Sequence, residues 1–99
     1  MNRPAELSVV IPCLNEATRL PLLLADLQHG GLRLEILLAD GGSSDATARI
    51  ARLTGSQLIN VQEPGRGRQL RAAAAQAQTD WLLFLHADSR LSVQWSGVL

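Results

Sequence analysis

Apolar and polar positions along the chain fall into blocks that switch between the period of a buried strand and that of a helix. Residues 7–11 (LSVVI) form a short β-branched run closed by Pro12, the pattern of a buried strand. Over residues 17–28, Leu20, Leu23, Leu24 and Leu27 recur at helical spacing, and His29, Gly30 and Gly31 supply a stop. Pro21 inside that pattern sets the start of the helix proper near Leu20, with the proline in the first turn. Residues 35–39 (EILLA) predict a second strand, ended by Asp40, Gly41 and Gly42. Ser44 then reads as an N-cap, with Asp45 at the positive end of a helix that runs to about Leu53 and closes at Gly55. Residues 57–61 predict a third strand, 63–67 a loop, 68–78 an alanine-rich helix, and 81–85 (WLLFL) a fourth strand leading into His86-Ala87-Asp88. Residues 91–99 show no clear period.

The order is therefore β-α-β-α-β-α-β with short connections. Near-continuous apolar strands suit a parallel sheet covered on both faces, and right-handed crossovers make this half of a doubly wound, Rossmann-like α/β/α fold. The fourth strand arrives where such a sheet usually continues. Its apolar edge calls for a cover, from either a missing C-terminal half or a second copy of the chain.

Composition adds bounds. Ninety-nine residues make one small domain, 1–99. With 46% hydrophobic and 18% charged residues the chain is expected to fold, and a formal net charge of zero gives no general attraction to nucleic acid or an anionic membrane. All nine basic residues are Arg, so a phosphate must be met by a guanidinium or by backbone N–H groups. Cys13 is the single cysteine, consistent with a reducing compartment. No apolar stretch approaches the ~20 residues needed to span a bilayer, and no secretory signal is visible. The expectation is a soluble, cytoplasmic protein, with peripheral membrane association left open.

In an open α/β sheet ligands bind beyond the carboxyl ends of the strands, and the polar residues cluster there. Asn15 and Glu16 follow the first strand; Asp40, Ser43, Ser44 and Asp45 the second; Glu63, Arg66 and Arg68 the third; His86, Asp88 and Arg90 the fourth. Each has a plainer reading: turn formers at Asn15 and Asp40, helix caps at Ser44 and Asp45, solvated charges at Arg66 and Arg68, packing at Cys13 and Trp81. A strand-end Asp facing a cleft, as at Asp88, is a natural ligand for a hard cation.

The strings SVVIPCLNEATRL, EILLADGGSSDAT and GRGRQLRAAAAQAQTDWLLFLHADSRL, in that order, closely resemble family 2 glycosyltransferases. They look most like a bacterial subgroup whose fourth strand ends in His-Ala-Asp. The resemblance implies an inverting enzyme of the GT-A, nucleotide-diphospho-sugar transferase fold, represented here by its N-terminal donor-binding half. It also implies roles. Pro12, Asn15 and Glu16 match the loop that packs on the nucleoside, with Glu16 reaching ribose or base. Asp40 matches the Asp that recognises the base. Gly65 and Arg66, with Arg68 close by, match the loop beside base and diphosphate. His86 stands at the nucleotide, and Asp88 matches the Asp that binds a divalent metal, Mn or Mg, bridging the diphosphate. The implied partner is a nucleoside-diphosphate sugar, UDP- or GDP-linked.

Three positions depart from the family pattern. Gly41 stands where many members carry a second Asp, His86 where they carry the first Asp of Asp-x-Asp, and Arg71 where they often carry Asn. No residue after Asp88 is a carboxylate. The acceptor-side general base is therefore not found there, and the isolated chain is expected to bind nucleotide weakly without transferring sugar. Two other classes remain open: a nucleotide-binding module without catalysis, and a nucleotidyltransferase-like protein. The latter usually opens with a Gly- and Arg-rich loop after its first strand, where this chain has Pro12-Cys13-Leu14-Asn15-Glu16. A dinucleotide-binding oxidoreductase is disfavoured, because Gly65-x-Gly67-x-x-Leu70 lacks the third glycine.

Overall fold

The computed structural model describes residues 4–61 and 65–98, the side chains of Arg66 and Val98 excepted. The elements run β1 (Leu7–Cys13), α1 (Leu20–Gln28), β2 (Leu34–Asp40), α2 (Thr47–Thr54), β3 (Gln57–Asn60), α3 (Arg66–Ala74) and β4 (Leu82–Phe84), then a closing 3-10 turn (Trp95–Val98). The sheet has the order β3-β2-β1-β4, and β1–β2, β1–β4 and β2–β3 are all parallel. This is the α/β architecture that the alternating pattern implies.

Side-chain alternation along the inner strands divides the core in two. Leu7, Val9, Ile11 and Cys13 of β1, with Leu38 of β2, face the apolar stripe of α1 (Leu20, Leu23, Leu24, Leu27) and Ala51 of α2. Val10 of β1, with Leu37 and Ala39 of β2, packs on the other side with Ile59 and Ala73. Each inner strand is thus apolar on both faces, which is why its sequence reads as a run rather than an alternation.

Several boundaries differ from the sequence expectation. Pro12 does not close β1; it pairs in register with Ala39, because the pairing with β4 spans only residues 8–10 and β1 has one neighbour at that point. Ser44 does not cap α2. That helix begins at Thr47, and the Asp45 carboxylate accepts the Thr47 N–H at 3.0 Å, while the Ser44 N–H is drawn to Asn15 instead. Gly55, with φ 73°, closes α2 as expected. The third helix starts at Arg66 rather than Arg68 and stops at Ala74. Beyond it the Gln78 N–H goes to Glu35 Oε1 (2.8 Å) instead of continuing a helical ladder. β4 keeps only three residues, and Trp81, Leu82 and Phe84 at this edge are exposed. The expected loop residues Glu63 and Pro64 lie outside the described residues.

The segment that showed no period has a clear function in packing. Trp95 is buried against α1, and its indole N–H donates to the Asp26 carbonyl at 3.0 Å. A Cβ at Gly30 would run into the Trp95 ring, so this glycine is required by a close approach and not only as a helix stop. Asp26 is buried, and its carboxylate accepts Arg90 Nε (2.7 Å), Arg90 Nη2 (3.1 Å) and the Leu91 N–H (2.9 Å). These bonds clamp the chain two residues beyond Asp88 onto α1.

The Arg90 hydrogen bonds, helped by the Leu91 N–H, hold the Asp26 carboxyl down to about 2. An unfolded Asp titrates near ~3.9, so this contribution is complete above about pH 4 and is lost as the pH falls towards 2. Asp26→Asn should therefore lower the urea midpoint at pH 7, and the gap from wild type should close between pH 4 and pH 2. A gap that stays constant over that range would show that the ion pair does not contribute.

Candidate functional site

Because the strands are parallel, the loops after β1, β2 and β4 open on one rim. Two of them are stitched together. Asn15 adopts φ 53°, a left-handed conformation that asparagine tolerates better than most residues. Its N–H donates to Ser43 Oγ (2.9 Å), and its Oδ1 accepts the N–H groups of Ser44 (2.8 Å) and Asp45 (3.3 Å). In return, Asp45 Oδ2 accepts the Ala17 N–H (3.1 Å) and Thr47 Oγ1 accepts the Glu16 N–H (3.3 Å). The bond from Thr47 lowers the Asp45 pKa. Asn15 and Asp45 thus shape the rim by bracing its loops.

Asp40 is buried at the end of β2, and its two oxygens take the Ser43 hydroxyl and N–H. Each carboxylate oxygen keeps a further lone pair. Asp40 also borders a cavity of about 380 Å³ with Gly41, Gly42, Asn60 and Val61.

The ends of β1 and β4 enclose a larger, polar cavity of about 470 Å³, lined by Pro12, Glu16, Arg19, Gln69, His86 and Asp88 with residues 13, 14 and 87. Four residues singled out in the sequence therefore meet: Pro12, Glu16, His86 and Asp88. Of the described side chains, neither Asp40 nor Arg68 lines this cavity; Arg68 lies exposed in the first turn of α3, and Gly65 precedes that helix with φ 125°. The Arg66 side chain lies outside the described residues.

Two lining residues escaped the sequence reading. Arg19, in the turn before α1, stands 3.8 Å from Asp88. Gln69 reaches from α3 across the strand ends, its Nε2 donating to Ala39 O (2.9 Å) and Cys13 O (3.2 Å). It gives Gly41 a reason. A Cβ there would come within 3.1 Å of Gln69 Nε2, so the amide would have to give by a few tenths of an ångström while it holds the two carbonyls. Nothing in the local pattern marks Gln69, since its partners are 30 and 56 residues away.

Cys13, beneath this cavity, is buried, and desolvation followed by the charges of Asp40, Glu16 and Asp45 pushes its thiol up to about 12. Such a thiol packs and does not react.

The chain matches the model of the glycosyl transferase family 2 over residues 8–99. It belongs to that family, and so to the glycosyltransferases. A 4,4'-diaponeurosporenoate glycosyltransferase of Staphylococcus haemolyticus is 36% identical over 93 residues, covering 87% of this chain and 25% of the relative. An uncharacterized glycosyltransferase of Mycobacterium tuberculosis is 34% identical over 84 residues, covering 85% of this chain and 37% of the relative. The chain thus spans a quarter to just over a third of the length of these relatives. Among solved structures, S. aureus TarS superposes with a TM-score of 0.79 at 22% identity, over 90% of this chain and 29% of that one. Glucosyl-3-phosphoglycerate synthase from Mycobacterium tuberculosis, solved with Mn2+, UDP and glucosyl-3-phosphoglycerate, gives 0.73 at 22% identity, over 87% of this chain and 36% of that one. The likeness establishes the Rossmann-like GT-A fold.

Three outcomes follow from the geometry. Gln69→Ala should lower stability by about 1–2 kcal/mol, the usual net worth of two such hydrogen bonds. Gly41→Asp should cost less in that background than in wild type, and additive losses in urea melts would refute the coupling. Native Cys13 should react with a thiol-specific reagent at pH 8 far more slowly than in urea, and equal rates would refute its burial.

Proposed function

We propose that this chain binds the nucleotide-sugar donor in metal-dependent glycosyl transfer to an acceptor hydroxyl. The observation that carries this reading is the convergence of Pro12, Glu16, His86 and Asp88 on one polar cavity at the carboxyl ends of parallel strands. The nucleoside lies along Pro12 and Glu16, with Asp40 accepting a hydrogen bond from the base and the loop at Gly65, Arg66 and Arg68 flanking it. Solved complexes of the structural neighbours support the ligand class: TarS with UDP and with UDP-GlcNAc, and glucosyl-3-phosphoglycerate synthase with Mn2+ and UDP.

A divalent cation fits the residues present weakly by themselves and tightly once the nucleotide completes its shell. Among the described residues no group of three His, Cys, Asp or Glu side chains could hold a metal. Asp88 is exposed in an open polar cavity beside His86, and Mg2+ is commonly held in this way, by one or two carboxylates completed by substrate phosphates and water. When bound, the ion would act as a Lewis acid for the charge that gathers on the departing diphosphate. Asp88 would orient it, and the Asp26–Arg90 clamp would fix the backbone that carries Asp88.

Calorimetric titration with UDP and GDP, with and without Mn2+, tests the reading. One of the two should bind in a Mn2+-dependent manner, and Asp88→Ala should weaken that binding at least about tenfold, the loss that even an outer-shell partner causes. Equal, metal-independent behaviour of wild type and variant would overturn the metal assignment.

A further inference from the structure

We infer that Arg19 has two alternative partners: Asp88, which it faces across the cavity, and the diphosphate, which it grips when a nucleotide and a divalent cation are bound. The inference rests on the donor-site reading above and adds to it a residue that the family motifs did not mark.

Four observations carry it. Arg19 Nη1 lies 3.8 Å from Asp88 Oδ2, close enough for charge attraction but too far for a hydrogen bond. Both side chains are more than half exposed, at 63% and 60%, so the guanidinium is free to swing. Both line the same polar cavity, where Glu16 and Asp88 are the carboxylates and Arg19 is the sole guanidinium among the described lining side chains. Finally, Arg19 occupies the N-cap of α1 without a capping bond, and no acidic residue follows in the first turn. A cation at the positive end of a helix is disfavoured, and Asp88 is the local charge that offsets it.

Competition follows from the charges. A divalent cation bound to Asp88 takes away the anion paired with Arg19 among the described residues and repels the guanidinium. Two carboxylates and one guanidinium leave the described lining with one net negative charge, which opposes an anionic nucleotide. The cation at Asp88 reverses that sign, and it releases Arg19 at the moment a diphosphate arrives. The planar guanidinium then matches paired phosphoryl oxygens as a two-pronged donor. Arg19 would accordingly set the preference for a diphosphate over a monophosphate.

The test compares wild type, Arg19→Ala and Arg19→Lys, titrating UDP and UMP (or GDP and GMP, following the base the wild type binds) with Mn2+ present, and Mn2+ alone by its electron spin resonance signal. Arg19→Ala should weaken the diphosphate about tenfold while barely changing the monophosphate. Arg19→Lys should restore part of the loss, and Mn2+ alone should bind Arg19→Ala at least as tightly as wild type. An unchanged diphosphate-to-monophosphate ratio, or equal weakening of both nucleotides, would overturn the role of Arg19. Weaker binding of Mn2+ alone to Arg19→Ala would overturn the competition for Asp88. Failure of wild type to bind either diphosphate would overturn the donor site itself, and Arg19 with it.

Discussion

The rim exists because β1 is paired in parallel on both sides. Val9, Val10 and Ile11 are wholly buried, β2 runs beside β1 from Leu7↔Leu34 to Cys13↔Asp40, and β4 lies on its other flank. That register sets the end of β1 level with the end of β2 and turns the chain after β4 towards both. With an antiparallel partner the polar loops would open at opposite ends of the sheet. The convergence of Glu16, His86 and Asp88 is thus a consequence of strand direction before it is a matter of side chains.

Polar residues on the rim divide into those committed to the fold and those left facing the cavity. Asn15, Ser43, Asp45 and Thr47 give their hydrogen bonds to neighbouring backbone and to one another, so the loops after β1 and β2 form one braced unit. Asp26, Arg90 and Trp95 brace the loop after β4 in the same way. Glu16, Arg19, His86 and Asp88 instead line the polar cavity. A preorganised rim with a few exposed charges is the arrangement that recognition of a charged ligand requires.

Much of this was legible in the sequence. Strand runs with apolar residues at every position announced a sheet covered on both faces, and strand-end clusters announced the rim. Ser-Ser-Asp-Ala-Thr read as a helix cap, but which member caps was decided by Asn15, whose amide takes the Ser44 N–H from 29 residues away. The same blindness hid Gln69 and Arg19, whose partners are distant in sequence. It also hid Trp95, because one large side chain in an aperiodic segment leaves no pattern, although Gly30 was the small residue that made room for it. Local periodicity reports which face is buried; it does not report what a polar side chain reaches across the fold.

The most direct measurement of the central claim, that nucleotide and metal meet where the ends of β1 and β4 converge, is a residue-by-residue amide NMR map during addition of small amounts of Mn2+ to the chain with UDP or GDP. Paramagnetic broadening is expected first at residues 86–89 and 13–19 and then at 41–44, with residues 32 and 81–83 at the opposite end of the sheet left sharp. Broadening centred on that opposite end, or spread evenly over the chain, would contradict a donor site at Asp88.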